Sequence, residues 1–412
     1  MIPAINLSYF DKQSPIWGLN KMSIKRNSIL LGKILLLLVI IVGGLITYGC
    51  TVIKSTPEGG SGGTIVNGTL YLSTASVSSS GGFGCSAPAT TSKVVAIDIS
   101  NGSRLWEVGL EGSRSSAGFG CAPTAAGVAV YGNPAVDGDL VYIGGYDGKI
   151  YAISSSTRLS KQKYLDENDP QPIIGGPVVY QGRVYIGSAD GKVYALGTTS
   201  LDSEWESPFE TGDKIWSSPA IDGGTLYIGS FDKKLYALNA SDGSKRWEFK
   251  AEGAIVSTPL IYNGTVYVGS FDRYFYAVDA TDGHLRWKFM GQNWFWAQAV
   301  AHNNLIYAPC LDGKVYVLDA ENGREAIGAI DLKSPVSSSP VLVNDLLIIA
   351  SEEGKVYSLD TADNQVKELA DLKSKVYAPL SSSEAMVYIH TEGNTVYSVD
   401  VQTGAKREFD IT

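Results

Sequence analysis

A unit of four short strands recurs about every 40 residues from residue 64 to the C-terminus, and few folds accept such a period. Its clearest copy spans residues 226–250, LYIGSFDKKLYALNASDGSKRWEFK. Leu226-Tyr227-Ile228 and Leu235-Tyr236-Ala237-Leu238 carry the aromatic and branched residues of half-buried strands. The five residues from Ser230 to Lys234 are short enough for a hairpin turn. Ser241-Asp242-Gly243 makes the next turn, because Asp and Gly adopt left-handed geometry at little cost. Lys245 to Phe249 then alternates as an outer strand. Upstream, Ile215 to Ile221 supplies the inner strand, and its Pro219 belongs on an edge because proline cannot donate to a ladder.

The register holds along the chain. The third-strand tyrosine falls at Tyr151, Tyr194, Tyr236, Tyr276, Tyr316, Tyr357 and Tyr397, at intervals of 40 to 43 residues. Inner-strand prolines keep time at Pro134, Pro177, Pro219, Pro259, Pro340 and Pro379. The turn before the third strand holds Asp147-Gly148, Asp190-Gly191, Asp232, Asp272, Asp312-Gly313, Glu353-Gly354 and Glu392-Gly393. An eighth unit precedes these seven, with Val94–Asp98 as third strand and Ser103–Glu107 as fourth. Four strands per unit at this period predict an all-β chain, an eight-bladed β-propeller of four-stranded antiparallel blades over residues 64–412.

The repeat resembles the PQQ-type propeller repeat, roughly VYxGSxDGxLYALDAxTGxxxWxF, over about residues 64–410. The likeness includes the outer-strand tryptophans Trp106, Trp205, Trp247 and Trp287. Blades six to eight depart from it, since Arg324-Glu325-Ala326, Val366-Lys367-Glu368 and Lys406-Arg407-Glu408 carry no tryptophan. In function the chain resembles the BamB-like lipoproteins of outer-membrane β-barrel assembly, which implies a scaffold that binds a protein partner in the cell envelope. Quinoprotein dehydrogenases share the repeat, so PQQ with calcium is the enzymatic alternative. They carry adjacent cysteines over the quinone, and this chain has no Cys-Cys pair and no C-x-x-C-H haem site.

Net charge −9 and the lack of a basic run argue against a nucleic-acid partner. Residues 1–33 form a leader in which Met22 is a second candidate start, followed by the basic Lys25-Arg26. Residues 34–53 hold no charge, a length that crosses a bilayer as a helix. With the basic flank before that run, an extracytoplasmic propeller is expected. Two readings stay open. One is a lipoprotein signal peptide cleaved before Cys50, with lipid on that cysteine; the other is an uncleaved transmembrane anchor. Residues 54–63 then read as a flexible tether.

Gly82-Phe83-Gly84-Cys85 and Gly118-Phe119-Gly120-Cys121 are near copies in two glycine-rich insertions. The first joins strands two and three of blade one; the second joins blade one to blade two. Up-and-down topology brings both to one face of the ring, so a Cys85–Cys121 disulfide is expected, which an oxidising compartment would sustain. Between blades two and three, residues 161–172 read as a charged surface loop. Blade six is the odd member. Its inner-strand region has no proline and reads Gln292-Asn293-Trp294-Phe295-Trp296-Ala297-Gln298, on the same face as the insertions. Trp294, Phe295 and Trp296 are the candidate binding surface for a partner loop, peptide or sugar, the last making a glycan or small-ligand sensor a third reading. The competing reading packs these rings between blades.

No catalytic or metal-ligating set emerges. His284, His302 and His390 fall in three different blades, and no cofactor is expected from the residues. The recurring turn aspartates read as structural acceptors for local N–H groups. Asn67-Gly68-Thr69 and Asn263-Gly264-Thr265 read as hairpin turns before glycosylation sites. A monomeric ring is expected.

Overall fold

The computed structural model describes residues 61–78, 89–114 and 125–411. These residues form eight antiparallel sheets, one per blade, each built in sequence order. Seven sheets have four strands. Blade one has five: β1 (Thr64–Val66), β2 (Thr69–Ser78), β3 (Ala89–Asp98), β4 (Arg104–Arg114) and β5 (Ala125–Gly127). The fifth strand is unexpected: β5 pairs antiparallel with β4 before blade two begins.

Blade four shows why the residues fold this way. Strands Thr225–Gly229 and Lys234–Asn239 pair with Tyr227 opposite Ala237 and Ile228 opposite Tyr236. Both strands lie between neighbouring blades, so almost every residue in them is buried, and their sequences run nearly continuously apolar. The outer strand Lys245–Lys250 keeps only Trp247 fully inside and alternates accordingly. The innermost strand is shorter than expected, Ala220–Asp222, and begins after Pro219. Proline thus ends the entrance loop, a position with no ladder N–H to lose. Residues 161–164 lie in an outer strand, Ser160–Tyr164, not in a loop. The two Asn-Gly-Thr sites are tight turns as expected, with Asn67 and Asn263 at φ 48° and 47°.

The turn aspartates hold the second hairpins together. In blade four, Asp232 accepts from the Lys234 N–H at 3.0 Å, the Tyr236 hydroxyl at 2.5 Å and the Gly212 N–H at 2.7 Å. Asp147, Asp190, Asp272 and Asp312 accept equivalent bonds from Tyr151, Tyr194, Tyr276 and Tyr316. One carboxylate so pins a turn, its own third strand and, in blades four to six, the entrance loop. In blade eight the left-handed turn residue is Asn394, one position after the expected Gly393.

Tryptophans clip neighbouring blades. The indole N–H groups of Trp205, Trp247 and Trp287 donate to the carbonyls of Ala240, Ala280 and Ala320 in the next blade, at 3.0–3.1 Å. Each ring covers a left-handed glycine there, Gly243, Gly283 or Gly323. Trp205 makes this contact from outside a strand, since the outer strand of blade three is only Phe209–Glu210. Trp106 meets Arg158 instead of glycine, its guanidinium 5.3 Å from the ring centre. The seam after blade six has no tryptophan, and the buried Tyr307 hydroxyl beside it has no hydrogen bond among the described residues.

Ring closure needs no exchanged strand. Leu70, Leu72, Val95 and Ile97 of blade one pack with Tyr388, Val396, Phe409 and Ile411 at the C-terminus. Phe409 covers Gly102, as tryptophan does elsewhere, and Arg407 donates to the Asn101 carbonyl. Ser61, fully buried, accepts through its carbonyl from His390 Nδ1 at 2.8 Å and through Oγ from the Ser73 N–H at 2.9 Å. Among the described residues no helix is long and apolar enough to cross a membrane.

Candidate functional site: an aromatic strip across three blades

In blades two to eight an entrance loop leads to the inner strand, and the second hairpin turns beside that loop. The two are joined by one backbone bond per blade, such as Phe231 N–H to the Lys214 carbonyl and Leu311 N–H to the Trp294 carbonyl. These loops and turns make up one face of the ring. In blade two Tyr131 and Tyr146 form an isolated edge-on pair, ring centres 6.0 Å apart; on blades four to six the aromatic side chains meet across blade boundaries.

Trp216 lies edge-on to Phe231, ring centres 4.5 Å apart. Phe231 meets Phe271 of the next blade at 5.9 Å. Phe271 stacks on Trp294 at 4.5 Å and on Trp296 at 5.7 Å, with interplanar angles of 19° and 20°. Lys214 Nζ stands 4.7 Å from the Phe231 ring centre. All five rings are half-buried. They make one continuous strip, apolar in body and open on one side.

The expected surface of three aromatics is thus corrected in one member. Phe295 is fully buried and points away from Trp294 and Trp296. It packs on Phe275 and Tyr316 in the core between blades five and six. A Cβ on Gly269 would lie 2.4 Å from the Phe295 Cβ, so this glycine makes room for the ring. The corresponding residues of other blades, Ile173, Ile215, Ile255, Val336 and Val376, are equally buried. Alternation along an extended loop sends neighbours to opposite sides, so Trp294 and Trp296 share the outer side and Phe295 cannot.

Sequence reading missed Trp216, Phe231, Phe271 and Lys214. The signal was there: Ser-Phe-Asp occurs in two consecutive second turns, Ser230–Asp232 and Ser270–Asp272, where blade three has Ser188-Ala189-Asp190. Across the face, the same turn position holds Glu352 and Glu392 in blades seven and eight, so the strip stops at blade six.

Cys310 lies beneath this face, its thiol donating to the Asn293 carbonyl at 3.4 Å, and burial pushes its pKa up to about 12. It is a structural thiol, not a nucleophile. Cys50, Cys85 and Cys121 lie outside the described residues. His284 pairs with Asp282, His302 with Asp345 and His390 with Ser61, so the three histidines do not converge. Among the described residues no three His, Cys, Asp or Glu side chains are placed to hold a metal ion. The recurring aspartates are engaged in hairpin bonds, and the sequence has no adjacent cysteines.

A family model described as outer membrane protein assembly factor BamB matches residues 64–207 and 203–407. Among solved structures, the computationally designed Ika8 protein superposes with a TM-score of 0.65 at 14% identity, covering 83% of this chain and 96% of its own. BamB from Moraxella catarrhalis superposes with a TM-score of 0.64 at 17% identity, covering 82% of this chain and 95% of its own. Those likenesses are of fold. No curated protein matches the sequence significantly.

Proposed function

From the premise that the chain belongs to the BamB-like family of PQQ-type propellers, we propose that it is a membrane-tethered, extracytoplasmic scaffold for a protein partner in envelope-protein assembly. The family match supports the class of function. The aromatic strip is the observation that carries the reading to a surface. Half-buried tryptophan and phenylalanine, fixed by their neighbours, lose little entropy on binding, which is why such residues dominate interface energetics. The rigid hairpins hold them in place without a partner present.

In this proposal the leader and the uncharged run 34–53 deliver the chain to the membrane, with Cys50 as the lipidated residue or the run as an anchor. A Cys85–Cys121 disulfide would stiffen the insertions in an oxidising compartment. The ring works as a monomer, and catalysis has no part in it. The test is purification of the tagged full-length protein from membranes, as wild type and as Trp294→Ala/Trp296→Ala. A stoichiometric envelope protein that leaves with the double variant supports the reading. Recovery of wild-type protein alone contradicts it.

A further inference from the structure

Five cationic residues among those described have a left-handed backbone: Arg158, Lys233, Arg273, Lys333 and Lys373. A side chain with a Cβ is disfavoured there, so each position calls for a local compensation. Three have one. Arg158 stacks on Trp106, Lys333 pairs with Asp331 at 2.5 Å, and Lys373 pairs with Asp371. Lys233 and Arg273, both at φ 74°, make no side-chain hydrogen bond and no ion pair among the described residues. Both are exposed.

The repeat itself supplies the control. At the same turn position blades two, three, six and seven carry Gly148, Gly191, Gly313 and Gly354, at φ 82° to 88°. Only blades four and five replace glycine by a cation. Those are the two hairpins that carry Phe231 and Phe271, two residues earlier. Blade two also has an aromatic turn residue, Tyr146 beside Tyr131, but keeps Gly148; in blades four and five an aromatic turn residue, a strained cation and an adjoining entrance-loop tryptophan coincide. The carboxylates nearest in sequence, Asp232 and Asp272, are bound by tyrosine hydroxyls and loop N–H groups. Asp213 and Glu252 are the exposed acids of the neighbouring loops.

Resting on the scaffold reading, we infer that Lys233 and Arg273 are the specificity residues of the strip, and that its occupant is a protein segment bearing carboxylate side chains beside apolar ones. The rings take the apolar side chains, and the two cations, already extended from turns that gain nothing from them, pair with the acids. An Arg at such a site reads a carboxylate with two donors.

The test uses the full-length protein in detergent and two labelled peptides of equal length, one alternating phenylalanine with glutamate, the other phenylalanine with lysine. The acidic peptide is expected to bind at least about tenfold more tightly, the effect of one desolvated charge pair. Lys233→Gly/Arg273→Gly, which restores the repeat's own turn, should keep the urea midpoint at or above wild type and abolish the preference. Lys233→Glu/Arg273→Glu should invert it. Equal binding of both peptides, binding of neither, or a preference unmoved by the glycine variant overturns the inference. Sedimentation with phosphatidylglycerol vesicles that the glycine variant loses, without peptide selectivity, assigns the strip to lipid and also overturns it. A membrane partner retained by the glycine variant would leave the scaffold reading standing and sink only the role of these two cations.

Discussion

Gly283→Ala isolates the clip between blades from the backbone geometry that accompanies it. Gly283 has φ 77°, so alanine there costs about 1–2 kcal/mol for the left-handed conformation alone. The added Cβ would also stand 2.7 Å from the Trp247 ring. That ring has little freedom to retreat, because its N–H is bonded to the Ala280 carbonyl at 3.0 Å and it packs against Tyr227, ring centres 5.7 Å apart. Overpacking of this kind adds about 1–3 kcal/mol. Gly224→Ala is the matched control, at φ 74° with nothing within 4 Å of the new Cβ. Urea unfolding followed in parallel by tryptophan fluorescence and far-ultraviolet circular dichroism reads both variants, provided the two probes coincide. Gly283→Ala should lie below Gly224→Ala by about 1–3 kcal/mol. Equal losses would refute the idea that tryptophan docking on glycine holds the seam.

Other expectations follow from the same contacts. Phe295→Ala should destabilise the ring by about 3–5 kcal/mol, as loss of a fully buried aromatic does, whereas Trp294→Ala should cost clearly less in the same urea titration. Burial first, and the facing aspartate second, raise Tyr194, Tyr236, Tyr276 and Tyr316 above the ordinary value of 10.0. Their contribution is complete below pH 10 and is lost as pH rises through the folded values, so tyrosinate absorbance should appear together with unfolding in an alkaline titration. Burial lowers His390 below 6.5, which makes its contribution complete above pH 6.5 and lost as pH falls through the folded value. His390→Leu should flatten that acid limb, read as urea midpoint against pH, while lowering stability at neutral pH through the lost bond to Ser61. Cys310 should resist alkylation in the native protein at pH 8 and react once urea unfolds it, as mass spectrometry of the labelled peptide would show.

The architecture was legible because each blade repeats the same physical problem. Tyr236 recurs since every third strand must fill the space between two sheets, and Asp232 recurs since every second hairpin needs an acceptor for its turn. What escaped the sequence was local and non-periodic. The antiparallel pairing of β5 with the end of β4 joins residues that carry no strand signal of their own, GLEGSR against AAG. Phe295 read as surface because it sits between two tryptophans, yet Ile215 and Ile255 at the same repeat position already marked that place as interior. Trp216 and Phe271 lie 55 residues apart in the chain, and only the turn of the ring from blade to blade brings them into one strip. A repeat period reveals what every blade shares; the proposed binding strip lies in what blades four to six do not share with the rest.

The most direct measurement places a photoreactive phenylalanine at position 296 or 231 on the strip, or at Asn263 in a first-hairpin turn on the opposite face, in the full-length protein in cells. The scaffold account expects one discrete envelope-protein adduct from positions 296 and 231 and none from 263. The same adduct from all three positions, or no adduct from any, would contradict it.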